Sequence, residues 1–198
     1  MRNQTVETQE ITPSALSGRS FKEYCELFGY NAKTGKDLAG KKILDVGIGN
    51  STFARYVNHH FQGAEVIGID PRKIERDLSG FATVSEETEL QYPQAQLIQG
   101  DSRKLPFKDA VFDEVISSNF KQYVLYKDVL IGIIKEMARV CKKGGKIRVT
   151  PSLLSGHNQI AKGELLEILG KDKFEIDEIE IPRTEYIDRT VIITKLQE

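Results

Sequence analysis

From Lys41 onward, short apolar runs alternate with stretches whose apolar residues recur every three or four positions. That rhythm predicts strands separated by amphipathic helices. Ile43–Val46, Glu65–Asp70, Gln96–Gln99, Phe112–Ser117 and Lys146–Thr150 read as strands. Ser51–Phe61, Val129–Cys141 and Gln159–Leu169 read as helices, the second of them stopped by Lys143-Gly144-Gly145. A helix or irregular stretch broken at Ser79-Gly80 runs on to Leu90. Phe174–Ile181 and Arg189–Lys195 form two final strands about a turn at Pro182–Asp188. Strands that alternate with helices form a parallel sheet covered on both faces. The last two strands are joined too closely for a parallel crossover, so they pair antiparallel. Ahead of this core, Phe21, Tyr24, Cys25, Leu27 and Phe28 lie at helical spacing before Gly29. The expected organisation is one domain: a mobile tail over 1–15, a helical cap over 16–40 and an α/β core over 41–198.

Composition narrows the classes without naming one. Of 198 residues, 39% are hydrophobic and 29% charged, the profile of an ordinary globular chain with a sizeable core. The formal net charge of −1 offers no global attraction to nucleic acid or an anionic membrane. Met1–Glu10 is polar, unlike a secretory leader, and the apolar run at Val129–Ile134 is too short to span a bilayer. Cys25 and Cys141 are far apart and match no metal-ligand spacing, so buried free thiols in a reducing, cytoplasmic setting are expected.

The chemistry gathers at the strand ends. In open α/β sheets ligands bind beyond the carboxyl ends of the strands, and Asp45, Asp70 and Asp101 all close strands there. Between Val46 and Phe53 the chain reads Gly47-Ile48-Gly49-Asn50-Ser51-Thr52. Gly49 permits an unusual turn and close approach of a ligand, and Asn50 or Ser51 can cap the following helix. Asp70 suits a pair of ribose hydroxyls, which does not separate NAD from other nucleosides. The loop does separate them. Thr52 stands where a dinucleotide fingerprint has its third glycine, and Asp45 repels a pyrophosphate while suiting an amino-bearing cation. S-adenosylmethionine, with its ammonium, its sulfonium and no phosphate, fits better than NAD.

With Gly100-Asp101-Ser102, Leu105-Pro106-Phe107 and Asp113 following in order, the chain resembles the class I S-adenosylmethionine-dependent methyltransferases. Ile43–Gly49 looks like the first motif of that family and Val66–Asp70 like its second. Gly100–Asp113 is similar to the third and Met137–Gly145 to the last. The likeness covers about residues 40–150 and lies nearest the small-molecule branch that includes quinone-biosynthesis enzymes. It implies a three-layer, Rossmann-like α/β fold with a mostly parallel seven-stranded sheet and an antiparallel C-terminal edge. By the resemblance, Asp45 lies near the cofactor's amino group and Gly47, Gly49 and Ser51 beside its methionine and ribose. Asp70 takes the ribose hydroxyls and Pro71 an adenine face, while Asp101 and Ser102 read the adenine edge. Ser118 and Asn119 line the methyl-transfer point.

The chain departs from the family pattern at three places. Ser51 replaces a third glycine, Lys143 a proline, and Ser117–Phe120 lacks the Asn/Asp-Pro-Pro-aromatic signature of many exocyclic-amine methylases. Tyr123 and His157 are the candidate bases, weighed against a lid-packing tyrosine and a solvated loop histidine. His59 and His60 read as surface residues. The expected acceptor is a small molecule or a peptide-like compound. So little extra chain leaves a shallow site, completed by a bulky substrate or by a second copy in a homodimer. A catalytically silent cofactor-binding module and a NAD-dependent oxidoreductase are the competing readings.

Overall fold

A computed structural model describes residues 20–49, 51–71, 96–118, 126–155, 159–182 and 187–197. Seven strands form one sheet: β1 (Lys42–Val46), β2 (Glu65–Asp70), β3 (Gln96–Gln99), β4 (Phe112–Ser118), β5 (Cys141–Thr150), β6 (Phe174–Pro182) and β7 (Ile187–Lys195). Their spatial order is β3-β2-β1-β4-β5-β7-β6, parallel through β5 and antiparallel at β5–β7 and β7–β6. The direction of winding reverses between β1 and β4, so the crevice outside their carboxyl ends is the ligand-binding position of such sheets.

Alternation along the central strands builds the three layers. Leu44 and Val46 of β1 join Val115 of β4 on one face, beneath α3 (Lys127–Val140) and α4 (Lys162–Leu169). Ile43 and Ile116 point to the other face, beneath α1 (Phe21–Phe28) and α2 (Phe53–His60). Helix α1 begins in a capping box, Ser20 with Glu23. Its aromatic stripe packs on the start of α2, with Tyr24 stacked on Phe53 at 4.7 Å and Phe21 on Phe53 at 6.1 Å. Both cysteines are free and buried, as the sequence implies.

The α1 layer is also bolted to the sheet by charge. Glu114, 2% exposed, accepts from the Tyr30 hydroxyl at 2.5 Å, from Arg148 Nε at 2.9 Å and from Lys41 Nζ at 2.5 Å. Arg148 donates onward to the Phe28 carbonyl at 2.8 Å, and Thr190 Oγ1 to the Leu27 carbonyl at 2.6 Å. The helix end is thereby held over β5 and β7.

Strands β2 and β3 match the predicted bounds, and the other described elements differ from them by one to five residues, while the stretch predicted to run on to Leu90 lies outside the described residues. The largest difference is at the start of β5, five residues earlier than predicted, while α3 ends one residue before its predicted end. The helix ends at Val140, ahead of Lys143-Gly144-Gly145, and β5 runs from Cys141 through both glycines, with Gly144 at a left-handed φ of 75° where the register against β4 shifts. The terminal carbonyls find partners off the helix, which is what ends it. The Ala110 and Val111 N–H groups donate to Arg139 and Val140, and Lys195 Nζ donates to the Ala138 and Cys141 carbonyls. Helix α2 likewise starts at Phe53, two residues later than predicted, because the preceding residues belong to the loop.

Candidate active site

The glycine loop is shaped by its own backbone. Gly47 and Gly49 have φ of 75° and 56°, a region costly to residues with a Cβ. The Gly47 N–H donates to the Ile69 carbonyl at 2.7 Å and the Gly49 N–H to Asp70 Oδ2 at 3.2 Å, tying the loop to the end of β2. Between them Ile48 points inward, 3% exposed, over Gly68 of β2. A Cβ at Gly68 would meet Ile48 Cδ1 at 2.6 Å, so the loop can seat only on a bare strand. Ser51 Oγ accepts from the Phe53 N–H at 3.1 Å, and Thr52, at the N-cap position, makes no side-chain capping bond. The capping task thus falls to Ser51, one of the two residues expected to carry it.

The three strand-end acids occupy different surroundings. Asp45 is fully buried on the α1 face of β1, between Gly68 and Ile116 in register. Asp70 is buried at the last position of β2, under the loop. Asp101 lies beyond β3, its side chain 46% exposed, and both its oxygens accept from Arg103. Those hydrogen bonds from Arg103 hold the Asp101 carboxyl below the usual range. Pro71 is exposed just past β2, and Ser102 is half-buried next to Asp101.

Arg139 of α3 fixes the segment carrying Asp101 and Ser102. It donates to the Leu105 carbonyl at 3.0 Å and the Phe107 carbonyl at 2.8 Å, and pairs with Glu136 and Asp109. Glu136 returns the contact by accepting from the Leu105 N–H at 2.8 Å. Phe107 meets Phe112 edge-on at 4.9 Å, as core packing of the loop requires.

Ser118 and Thr150 close β4 and β5 as lateral partners in register. Asp45, Gly47, Gly49, Ser51, Asp70 and Ser118 therefore gather around the β1–β4 switch point, and Pro71, Asp101 and Ser102 stand along its β2–β3 side. Asn119, Tyr123 and His157 lie outside the described residues. Three positions escaped the sequence reading: Gly68, Arg139 as an anchor, and Thr150. Only Thr150 carried a usable signal, its place at the end of a strand beside the switch point.

A doubly wound sheet with a glycine loop and an acid at the next strand end defines a nucleoside-cofactor-binding α/β protein. Residues 44–149 match the methyltransferase domain family model. The chain belongs to that family. A demethylmenaquinone methyltransferase of Lysinibacillus sphaericus is 32% identical over 140 residues, 67% of this chain and 56% of that protein. A sterol 24-C-methyltransferase of Gibberella zeae is 34% identical over 106 residues, 54% of this chain and 26% of that protein. The chain thus spans between about a quarter and just over half the length of these curated relatives. Among solved structures, the magnesium protoporphyrin IX methyltransferase of Synechocystis PCC 6803, with bound S-adenosylmethionine, shares the fold. It superposes with a TM-score of 0.62 at 16% identity, over 88% of this chain and 79% of that one.

Proposed function

We propose that this chain transfers a methyl group from S-adenosylmethionine to a small-molecule acceptor by in-line displacement. The observation that carries the reading is the preformed loop, with two left-handed glycines and an amide held on the Asp70 carboxylate. The residues fit the cofactor. Gly47 and Gly49 present bare backbone to its methionine and ribose portion, with Ser51 behind them at the helix start. Asp45 supplies negative charge for the ammonium, Asp70 accepts from the ribose hydroxyls, and Pro71 lies against the adenine. Asp101 and the Ser102 N–H read the adenine edge once Arg103 gives way, and an ion pair this exposed costs little to open.

When bound, the cofactor supplies a methyl on a cationic sulfur whose sulfide leaves neutral. The chain's task is then alignment and exclusion of water, and orientation of this kind is worth up to about 7–11 kcal/mol. Ser118 and Asn119 would line the transfer point. Where the acceptor must lose a proton, Tyr123 and His157 are the candidate bases. Small-molecule acceptors are favoured because the matched relatives bear the names of sterol and quinone methyltransferases. A peptide-like acceptor and completion of the site by a second copy are the finer alternatives. Among the described residues no helix is long and apolar enough to cross a membrane, in keeping with action in the cytoplasm.

Calorimetry against S-adenosylmethionine, S-adenosylhomocysteine and NAD tests the cofactor. The first two should bind and NAD should not; binding of NAD alone would overturn the reading. Labelled methyl transfer into a cell extract should then mark the acceptor, while cofactor binding without any transfer would favour the silent module.

A further inference from the structure

Among the described residues, buried hydroxyls are satisfied with two exceptions at the crevice. Ser117 Oγ donates to the Val46 carbonyl at 2.6 Å, Thr190 Oγ1 to the Leu27 carbonyl at 2.6 Å, and Ser152 Oγ to Glu178. Among the described residues, Ser118 Oγ and Thr150 Oγ1 are buried and have no hydrogen-bond partner. Their residues are 8% and 1% exposed. They are lateral partners at the last positions of two parallel strands, so their side chains leave the same face about 5 Å apart. Buried polar groups are rarely left unmatched, and two adjacent ones at a ligand crevice imply a partner brought from outside.

The surroundings limit what that partner can be. Two steps back on the same face of β5 is Arg148, committed to Glu114 and to the Phe28 carbonyl. Among the described residues no other cation stands on that face of β4 or β5 near the two hydroxyls. A phosphate or carboxylate would lie there without countercharge, which a dry site penalises heavily. Two steps back on the same face of β4, Ile116 is fully buried and apolar. We infer that Ser118 and Thr150 together bind a neutral oxygen, a hydroxyl or carbonyl on an apolar skeleton, of the methyl acceptor. Each hydroxyl donates to that oxygen or accepts from its proton, which sets the acceptor's orientation at the transfer point. The inference rests on the methyl-transfer reading and assigns Thr150 to the acceptor, not to the cofactor.

The test uses the full chain, Thr150→Val and Ser118→Ala, with 1-naphthol, decanoate and ethanolamine as neutral, anionic and cationic probes. In the ligand-free chain both substitutions should hold or raise the unfolding temperature, because each removes an unmatched buried hydroxyl. A fall of about 3 °C or more in either would show a partner within the protein or a structural water, and would overturn the assignment. With S-adenosylhomocysteine bound, the unsubstituted chain should bind 1-naphthol in preference to the charged probes. Each substitution should weaken that binding about three- to tenfold. Failure of 1-naphthol to bind, or binding that neither substitution affects, overturns the inference while leaving the methyl-transfer reading intact. Failure of S-adenosylhomocysteine itself to bind the unsubstituted chain defeats the parent reading instead.

Discussion

Removal of the Glu114 carboxylate by Glu114→Ala should cost more stability than any other single surface-distant change outside the apolar core. The carboxylate is 2% exposed and collects three donors: the Tyr30 hydroxyl, Arg148 Nε and Lys41 Nζ. Without it, Arg148 keeps its bond to the Phe28 carbonyl and its place over the Tyr30 ring, 5.0 Å away, but loses its counterion in a buried position. Breaking a buried pair from one side costs roughly 3–5 kcal/mol. The stranded Tyr30 hydroxyl falls within that figure, and Lys41, 34% exposed, adds little because water takes over its charge. Against a typical total of about 5–15 kcal/mol, such a loss is large. Urea unfolding at neutral pH reads it directly as a lower midpoint at unchanged slope. Tyr30→Phe alone should cost about 1 kcal/mol, and a double-mutant cycle should show coupling of at least about 0.5 kcal/mol. A loss below about 1 kcal/mol for Glu114→Ala would refute the claim that this cluster bolts the cap to the sheet.

Gly49→Ala places a Cβ at a φ of 56° beside the cofactor, and should weaken S-adenosylmethionine binding at least about tenfold by calorimetry while costing about 1–2 kcal/mol of stability. Arg139→Ala frees the Leu105 and Phe107 carbonyls and should lower the unfolding free energy by about 1–3 kcal/mol. It should also raise hydrogen exchange across residues 101–109, and unchanged exchange there would argue against Arg139 as the anchor. Burial pushes the Cys25 and Cys141 thiols up to about 12, so a thiol reagent at pH 8 should label neither until the chain is unfolded in denaturant. The Arg139 hydrogen bond holds the Glu136 carboxyl below its ordinary value, so its contribution is complete above about pH 4.3 and is lost as the pH falls through the lower folded value. Acid unfolding of Arg139→Ala should accordingly show a shallower pH dependence between about pH 5 and 3 than the unsubstituted chain.

Much of this molecule is written locally. Period-two and period-3.6 patterns place strands β2 and β3 to the residue, and their alternation dictates a parallel sheet with an antiparallel end. The glycine loop is equally legible, because a left-handed turn after a buried strand admits few residues besides glycine at 47 and 49. The start of β5 is less so. A glycine pair is a strong local stop signal, yet Val111 and Lys195 reach the helix carbonyls first, and those contacts exist only once β4 and β7 are in place.

The chain alone determined the layers and the cofactor loop, since each depends on residues a few positions apart. Tertiary structure decided which distant groups meet. Tyr30, Lys41 and Arg148 converge on Glu114 from three separate elements, and Ile48 finds bare backbone at Gly68. Ser118 comes level with Thr150. None of these meetings has a sequence signature, because strand order and register set them and both are outcomes of packing the whole sheet.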